Sequence, residues 1–376
     1  MAIPTLTMIP SGYKAQKVYS VLPTNGDGDF TFDRNNAGTR VNKDGLIEQV
    51  ATDVPRLDYS DGSCPSLLLE PASVNLALYS QDFSQSDWSV FDVSKSANSV
   101  LSPDGTLNGA RITALDGTNK ALQQLVTVSA DPSNDRVFTG SVYIKSSSVT
   151  SCFLRVGSAT SNNAITISNE WQRFEAQYTL AATFTAVRLG IVFNNEGDEV
   201  DVAFGQVEEL PYASSYIPTP TNLSASRSAE TFSNDFSSQP TVANTNTVVL
   251  KFIPMGFSTD FNELLRFSDG TNEISLEGFQ TNNYDVYGSG LTSSGMVDGA
   301  LSLDAGSINT ISFSYSGTSL RFSHNGSTIN TVAPTGNLPT ITEVSHSVGG
   351  LSPIKILDLR VYNDFKTQQE LNTLTI

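Results

Sequence analysis

Along most of the chain, short runs of Val, Ile, Thr, Phe and Tyr alternate with clusters of Gly, Asn, Asp, Ser and Pro. Within the runs, apolar residues recur with a period of two, and the runs follow one another about every 8–12 residues. Both features are typical of β-sandwiches and barrels, whereas the 3.6-residue period of a helix is almost absent. The pattern predicts an all-β fold: an irregular N-terminal β arm followed by two β-sandwich (jelly-roll) domains.

Changes in pattern divide the chain into four parts. Residues 1–70 have short β segments, several prolines and too little apolar sequence for a core, so we expect an arm for assembly or attachment that does not fold alone. Residues 71–217 are predicted to form the first sandwich and residues 236–376 the second. Residues 218–235 are rich in Pro, Ser and Thr and are predicted to be a linker.

The alternating runs also predict individual elements. In the first sandwich the predicted strands are Val137–Lys145, Cys152–Val156, Ala164–Ser168, Trp171–Leu180, Ala186–Phe193 and Val200–Val207. In the second they are Thr247–Ile253, Glu263–Ser268, Glu273–Phe279, Asn309–Tyr315, Ser319–His324 and Lys355–Tyr362. One short helix is predicted over Phe365–Leu374, because Thr367 can cap it and Glu370 follows three residues later.

Charge and hydropathy exclude several partners. The 38 acidic residues against 21 basic ones give a net charge of −17, which repels nucleic acid and anionic lipid surfaces. No run of about 18 apolar residues predicts a membrane span. The N-terminal residues lack the basic and apolar regions of a secretory signal, so synthesis in a cytoplasm is expected.

Catalytic chemistry has little support in the sequence. His324 and His346 are the two histidines, and nothing nearby suggests a Ser–His–Asp triad; His324 precedes Asn-Gly, a typical hairpin turn. A glycosidase needs two carboxylates beside the scissile bond. Glu273 and Glu277 share a strand face, and residues 196–201 are acidic, but neither pattern matches a known catalytic run. We therefore expect no enzymatic activity and no catalytic residue.

Metal and disulfide sites are equally poorly supported. The segment from Asn25 to Asp29 places two carboxylates in a Gly-rich loop, which suggests calcium, yet it departs from the EF-hand pattern and a plain turn explains it as well. Cys64 and Cys152 fit two buried free thiols better than a bridge. No cofactor is expected, and calcium is the one metal to consider.

Sugar binding would use exposed aromatic rings beside amides and carboxylates. The best such group lies in a polar stretch of the second sandwich, where an ordinary hairpin with half-buried tyrosines is the alternative. Its members are Asn282, Asn283, Tyr284, Asp285 and Tyr287.

Three stretches resemble proteins of tailed bacteriophages. Met8–Leu76, with Pro55-Arg56-Leu57-Asp58-Tyr59 and Leu69-Glu70-Pro71, resembles the N-terminal region of their structural and tail-fibre proteins. Asn75–Glu230, which ends on Arg227-Ser228-Ala229-Glu230, resembles the carbohydrate-binding-module-like jelly rolls of the same proteins. The C-terminal half, with Ile356-Leu357-Asp358-Leu359-Arg360-Val361-Tyr362, is similar to concanavalin-A-like (laminin-G-like) sandwiches.

The resemblance implies a virion component, made in the host cytoplasm, that acts as a tail fibre or adhesin and contacts host glycan without catalysis. The arm would bind other virion proteins and join copies of the chain, and the fibre resemblance favours a homotrimer. It also implies that Trp88 and Trp171 fill the jelly-roll core. A head-decoration or head-fibre protein with a structural role is the alternative, and a polysaccharide depolymerase is a weaker one.

Overall fold

The computed structural model describes residues 3–239, 245–257, 262–278, 283–288, 301–317, 319–331, 337–346 and 352–376. Nearly all regular structure in these residues is β, with one short helix near the C-terminal end. The predicted all-β fold class with β-sandwich sheets is therefore confirmed. Within the same ranges, no helix is long and apolar enough to cross a membrane.

The strands before residue 170 are β1 (Leu6–Met8), β2 (Tyr13–Lys14), β3 (Lys17–Val18), β4 (Phe30–Asp33), β5 (Gly38–Val41), β6 (Ile47–Val50), β7 (Arg56–Asp58), β8 (Ser66–Leu69), β9 (Ser73–Asn75), β10 (Ser89–Phe91), β11 (Val93–Val100), β12 (Gly109–Ala114), β13 (Ala121–Thr127), β14 (Arg136–Lys145), β15 (Ser151–Gly157) and β16 (Asn162–Thr166). The later elements are β17 (Gln172–Leu180), β18 (Ala186–Val192), β19 (Glu199–Glu208), β20 (Ala225–Arg227), β21 (Thr231–Asp235), β22 (Thr245–Pro254), β23 (Asn262–Ser268), β24 (Glu273–Gly278), β25 (Asn283–Gly288), β26 (Leu301–Ser302), β27 (Asn309–Ser316), β28 (Ser319–His324), β29 (Ser327–Ile329), β30 (Glu343–His346), β31 (Ile354–Tyr362) and α1 (Gln368–Leu374).

Two compact units divide the chain, and their boundaries differ from the predicted ones. Met1–Lys43, Val50–Pro71 and Ser228–Ile376 form one unit, here called the composite sandwich. Asp44–Gln49 and Ala72–Arg227 form the other, here called the jelly roll. The N-terminal segment therefore belongs mostly with the C-terminal half of the chain.

The composite sandwich has two large antiparallel sheets. Among the described strands, one has the order β29-β28-β27-β22-β31-β8-β7, with β1 also paired to β31. The other has the order β2-β3-β4-β21-β30-β23-β24-β25-β26. The N-terminal segment thus gives three strands to each sheet, and the prediction of a separate arm over residues 1–70 is wrong. The segment lacks a core of its own because its partner is the other end of the same chain.

Side chains of the N-terminal segment are part of this unit's core. Phe30, Phe32, Leu67 and Leu69 are fully buried, and the Phe30 ring stacks on Phe232 with 4.1 Å between centroids. Because these apolar residues are covered within the chain, they give no physical reason for the segment to join copies of the chain. A trimer stays a prediction that rests on the fibre resemblance.

A buried cluster of four charged side chains fixes the N-terminal segment in place. Arg56 donates through Nε to Glu230 Oε1 at 2.7 Å, and its Nη1 lies 2.7 Å from Glu70 Oε2. Arg34 donates through Nη1 to the same Glu230 oxygen at 2.8 Å. All four side chains are almost completely shielded from solvent. Burial alone lowers the pKa of Arg56, but Glu230 and Glu70 reverse that effect and raise the pKa above its ordinary value.

The predicted linker over residues 218–235 is also wrong. Its residues include β20, which pairs with β9 in the jelly roll, and β21, which lies inside the larger sheet of the composite sandwich. Glu230, between these strands, belongs to the buried charge cluster. Its Pro-, Ser- and Thr-rich composition gave no sign of these long-range pairings.

The jelly roll has two five-stranded sheets, with the orders β10-β13-β18-β15-β16 and β11-β12-β19-β14-β17. Side chains that alternate along the strands fill the space between them, for example Phe138, Ile144, Leu154, Leu189 and Val202. The strands predicted here from period-two alternation are all present, with ends shifted by a few residues.

Local turn and cap signals in the composite sandwich are confirmed. Thr367 caps α1 in a reciprocal capping box with Glu370, and Leu371 is the helix residue buried against the sheet. The turn after His324 places Asn325 at φ 47° and Gly326 at φ 79°, the left-handed backbone that an Asn-Gly hairpin turn requires.

Candidate functional site

The sequence-predicted sugar-binding residues lie on and beside β25. Tyr284 faces the core of the composite sandwich: its side chain is fully buried, its ring lies 5.7 Å from Phe257, and its hydroxyl donates to Ser352 Oγ at 3.2 Å. Tyr284 cannot offer a ring face to sugar, so that interpretation is wrong. The polar residues around Tyr284 suggested a loop, but they belong to a strand whose alternate residues point inward.

Asp285 and Tyr287 lie on the opposite face of β25, where both are half-buried. Asn283 begins the strand, and Asn282 lies outside the described residues. The structure therefore brings Asp285 and Tyr287 to one side of the sheet and separates them from Tyr284. Sugar contact through Asp285 and Tyr287 remains a prediction.

Three carboxylates form a cross-strand row on that same face. Glu263 pairs with Glu277, and Glu277 pairs with Asp285. Arg266 Nη2 lies 2.8 Å from Glu263 Oε2. Burial raises the pKa of Glu277; the hydroxyl of Ser275 opposes this, while the charge of Glu263 adds to it.

The row contains several carboxylates, as a glycosidase site does, but they are not accessible to a substrate. A catalytic acid and its partner must both touch the glycosidic bond and water. Glu263 is 2% exposed and Glu277 is 6% exposed. Such burial supports a structural interpretation of the row.

We predict that Glu277→Gln stabilises the protein at neutral pH. Because the pKa of Glu277 is raised in the folded state, its contribution to stability is fully present below its ordinary value near 4.5 and declines as pH rises through the raised value. The amide stays neutral throughout. Thermal unfolding at pH 7 should show Tm raised by about 2–4 °C, which corresponds to about 1 kcal/mol, with no difference at pH 4. The control is Glu343→Gln, which makes the same change at the start of β30. A Tm that is unchanged or lowered at pH 7, or that rises equally in the control variant, would contradict this prediction.

Neither histidine has the surroundings of a catalytic base. His324 Nε2 lies 2.9 Å from Asn309 Oδ1, and His346 Nδ1 lies 2.8 Å from the carbonyl oxygen of Leu264. Burial lowers the pKa of both imidazoles, so each is a neutral partner in a local hydrogen bond at pH 7.

The two cysteines are free thiols, as expected, but they differ in exposure. Cys152 is buried in the jelly-roll core, and burial, with a smaller effect from Asp198, raises its pKa to about 12. Cys64 is exposed, which corrects the expectation that both are buried. Its loop between β7 and β8 contains polar and turn residues that leave the side chain uncovered.

The loop considered for calcium uses its carboxylates locally. Asn25 Nδ2 donates to Asp27 Oδ2 at 2.8 Å, and the backbone amide of Ser20 donates to Asp29 Oδ1 at 3.0 Å, while Lys17 Nζ lies 3.4 Å from Asp29 Oδ2. Across the described ranges, no group of three or more His, Cys, Asp or Glu side chains is arranged to hold a metal ion.

The two tryptophans differ in position. Trp88 is buried as predicted, 4.6 Å from the Phe83 ring, with its Nε1 donating to the carbonyl oxygen of Tyr79 at 3.1 Å. Trp171 is half-buried, so the prediction that it fills the core is wrong. The next residue, Gln172, pairs with the core residue Ile144, so Trp171 lies on the outer side, where Lys145 Nζ lies 4.8 Å from its ring centroid.

The strongest candidate site is the outer face of the sheet β10-β13-β18-β15-β16, here called the arginine face. One row of outward residues crosses it: Ser89, Gln123, Gly190, Arg155 and Asn162. Arg155 donates through Nε to Asn162 Oδ1 at 2.9 Å and through Nη1 to Gln123 Oε1 at 2.8 Å. These two amides hold the guanidinium in place, and Arg155 is 6% exposed.

A second, apolar row lies beside it: Phe91, Ala121, Val192, Phe153 and Ala164. On the other side of the Arg155 row, Arg188 is half-buried, and no residue of the described chain makes a hydrogen bond or ion pair with its side chain. Arg155 and Arg188 are diagonal neighbours on the paired strands β15 and β18. Burial lowers the pKa of Arg155, and the positive charge of Arg188 lowers it further.

Sequence reasoning missed this face, although a signal was present. In β15 and β18 the inward positions are apolar, and the outward positions include Arg155, Arg188 and Gly190. Two arginines at outward positions of two strands mark a charged surface. Their adjacency could not be seen, because β15 and β18 pair across a long stretch of sequence.

No family model matches this chain, and no curated protein matches it. Among solved structures, it is similar to Trypanosoma rangeli sialidase, with 15% identity, a TM-score of 0.29, and coverage of 35% of this chain and 22% of that chain. The chain therefore spans less than a quarter of the sialidase.

Two smaller structures are also similar. The CBM40 of Ruminococcus gnavus IT-sialidase shows 13% identity and a TM-score of 0.28, over 36% of this chain and 84% of that one. Domain 4 of AbnA, a GH43 extracellular arabinanase from Geobacillus stearothermophilus in complex with arabinotriose, shows 15% identity and a TM-score of 0.31, over 39% and 73%. At these scores the similarities assign no ligand or activity to this chain.

Proposed function

We propose that this chain is a non-enzymatic adhesin in the virion of a tailed bacteriophage, and that the arginine face of its jelly roll holds host-surface glycan. The observation that carries the glycan part is the pairing of two rows on one outer face. Phe153 and its apolar neighbours suit the apolar side of a sugar ring, while Gln123 and Asn162, both oriented by Arg155, offer hydrogen bonds to its oxygens.

The virion part rests on the resemblance of Met8–Leu76 and its neighbours to phage structural proteins. Under this proposal other virion proteins are partners, and several copies of the chain, three by the fibre resemblance, act together. Each sugar contact is weak, and simultaneous contacts multiply the affinity. The burial of Glu263 and Glu277 supports binding without cleavage.

Phe153→Ala should weaken glycan binding about tenfold, because loss of a packed aromatic surface costs on the order of 1.5 kcal/mol. Binding of the full chain to a glycan array, followed by titration with the sugars retained, measures this. The matched control is Phe184→Ala, which removes a 62% exposed phenylalanine from the turn before β18 and should leave affinity unchanged. Equal loss in both variants would contradict a site on the arginine face.

Cryo-electron microscopy of the phage particle tests the virion part. Density for this chain on a fibre or baseplate supports the adhesin. A position on the capsid, together with no glycan retained on the array, would establish the head-decoration alternative instead. Release of reducing sugar from host polysaccharide would overturn the claim that the protein lacks catalysis.

A further inference from the structure

We infer that the sugar held by the arginine face is acidic, with a carboxylate that Arg188 binds beside the amide nitrogens of Gln123 and Asn162, which Arg155 orients. This inference rests on the proposed function and names its ligand class. The evidence is the balance of donors and acceptors on the face, its charge and its flatness.

The row at the centre of the face presents donors. Arg155 binds Oδ1 of Asn162 and Oε1 of Gln123, so both amide oxygens are turned toward the guanidinium. The amide nitrogens are then the groups left for a ligand. Arg188 adds a second guanidinium, which carries donors and no acceptor. A donor-rich surface of this kind fits a ligand that brings oxygens and negative charge.

The charge of the face is opposite to that of the protein. The net charge is −17, yet the outward positions of these five strands hold two arginines and no carboxylate. The outward residues are Ser89, Phe91, Ala121, Gln123, Leu125, Thr127, Ser151, Phe153, Arg155, Asn162, Ala164, Thr166, Ala186, Arg188, Gly190 and Val192. Two neighbouring guanidinium groups repel each other, and a carboxylate bound by Arg188 offsets that repulsion while it gains charge-assisted hydrogen bonds.

Glycine keeps the row flat. Gly190 lies between Gln123 and Arg155 in the register, and a Cβ built on it would lie 2.6 Å from Gln123 Cβ. A side chain there would displace Gln123 and break its hydrogen bond with Arg155. Five strands at a spacing of about 4.8 Å give the row a length of ~19 Å. An oligosaccharide can lie along it, with rings on the apolar row and oxygens on the donor row.

The decisive probes are tetragalacturonate and its fully methyl-esterified form, which has the same sugar chain without the charge. The full chain should bind the acid at least tenfold more tightly than the ester, as measured by calorimetry. Poly-glutamate tests whether a carboxylate without a sugar is enough. Equal affinity for acid and ester, or equal affinity for poly-glutamate, would overturn the inference.

Arg188→Gln should weaken binding of tetragalacturonate at least tenfold and leave binding of the ester unchanged. Arg188 has no partner in the described chain, so the fold should tolerate the change, and circular dichroism verifies this. The control is Arg111→Gln, which alters the net charge equally on the other sheet, where Arg111 Nε lies 2.8 Å from Asp201 Oδ1. The same loss in both variants would reduce the effect to general electrostatics and refute the inference.

The two proposals fail differently. If the chain binds neutral sugars on the arginine face and ignores the acid, the adhesin proposal stands and the acidic ligand is wrong. If wild-type protein retains neither neutral nor acidic sugar on the array, both the adhesin proposal and the acidic ligand are wrong.

Discussion

A chain that lacks residues 1–71 should fail to fold its C-terminal sandwich. The deletion removes β1, β7 and β8 from one sheet and β2, β3 and β4 from the other. It also removes eight large core side chains that are at most 3% exposed: Leu6, Met8, Val18, Phe30, Phe32, Leu57, Leu67 and Leu69.

The size of the effect follows from burial. At about 1.5–3 kcal/mol for each large apolar side chain, eight of them contribute on the order of 12–24 kcal/mol. A typical domain has a free energy of unfolding of only about 5–15 kcal/mol. The truncated sandwich should therefore lose its near-ultraviolet circular dichroism and its protected amides in β22, β27 and β31.

The control for this deletion is addition of the missing piece. The purified segment 1–71, mixed with the truncated chain at equal concentration, should restore part of the signal, because its strands fill defined places in both sheets. Alone, the segment should be sensitive to protease. A cooperative melt from residues 228–376 without the segment would show that the N-terminal strands are accessory.

Glu230→Gln should destabilise the composite sandwich by about 3–5 kcal/mol, the cost of breaking a buried ion pair from one side. Glu230 accepts hydrogen bonds from Arg34, from Arg56 and from the backbone amide of Glu70. An amide of the same size removes the negative charge that both buried guanidinium groups face. Urea denaturation, monitored through the backbone amide signals of β4 and β7, measures the change in the free energy of unfolding.

The matched control is Asp358→Asn, which removes one partner of a more exposed ion pair with Arg360 in the same unit. It should change stability by less than about 1 kcal/mol. Arg34→Met should be as harmful as Glu230→Gln, since Arg34 also donates to the carbonyl oxygens of Asn36, Val50, Ala51 and Val54. If Glu230→Gln costs no more than Asp358→Asn, the cluster does not anchor the segment.

Local structure was predictable because its causes are local. Period-two alternation gave the strands of the jelly roll, for example β14 and β17, and the Thr367–Glu370 pair gave the start of α1. The Asn325-Gly326 turn follows from two residue types that accept a positive φ.

Partners across long sequence separations were not predictable. The run around Phe30 and Phe32 shows which side chains need burial, but the ring that covers Phe30 belongs to Phe232. Alternation identifies a buried face and says nothing about the strand that supplies the other half of the core. The separate N-terminal arm and the linker over residues 218–235, both wrongly predicted, share this cause.

The candidate site divides in the same way. The sequence by itself determined the fold class, because composition, spacing and residue type carry that information, whereas the burial of Trp88 was implied by the resemblance to phage jelly rolls. It placed Tyr284 on the surface because polar neighbours resemble a loop until the strand register is known. Only the tertiary structure decided that Arg155 and Arg188 share one carboxylate-free face and that Arg34, Arg56, Glu70 and Glu230 meet in the core. Both groups join residues from distant parts of the chain, and strand order in the sheets, rather than order in the sequence, sets which charges become neighbours.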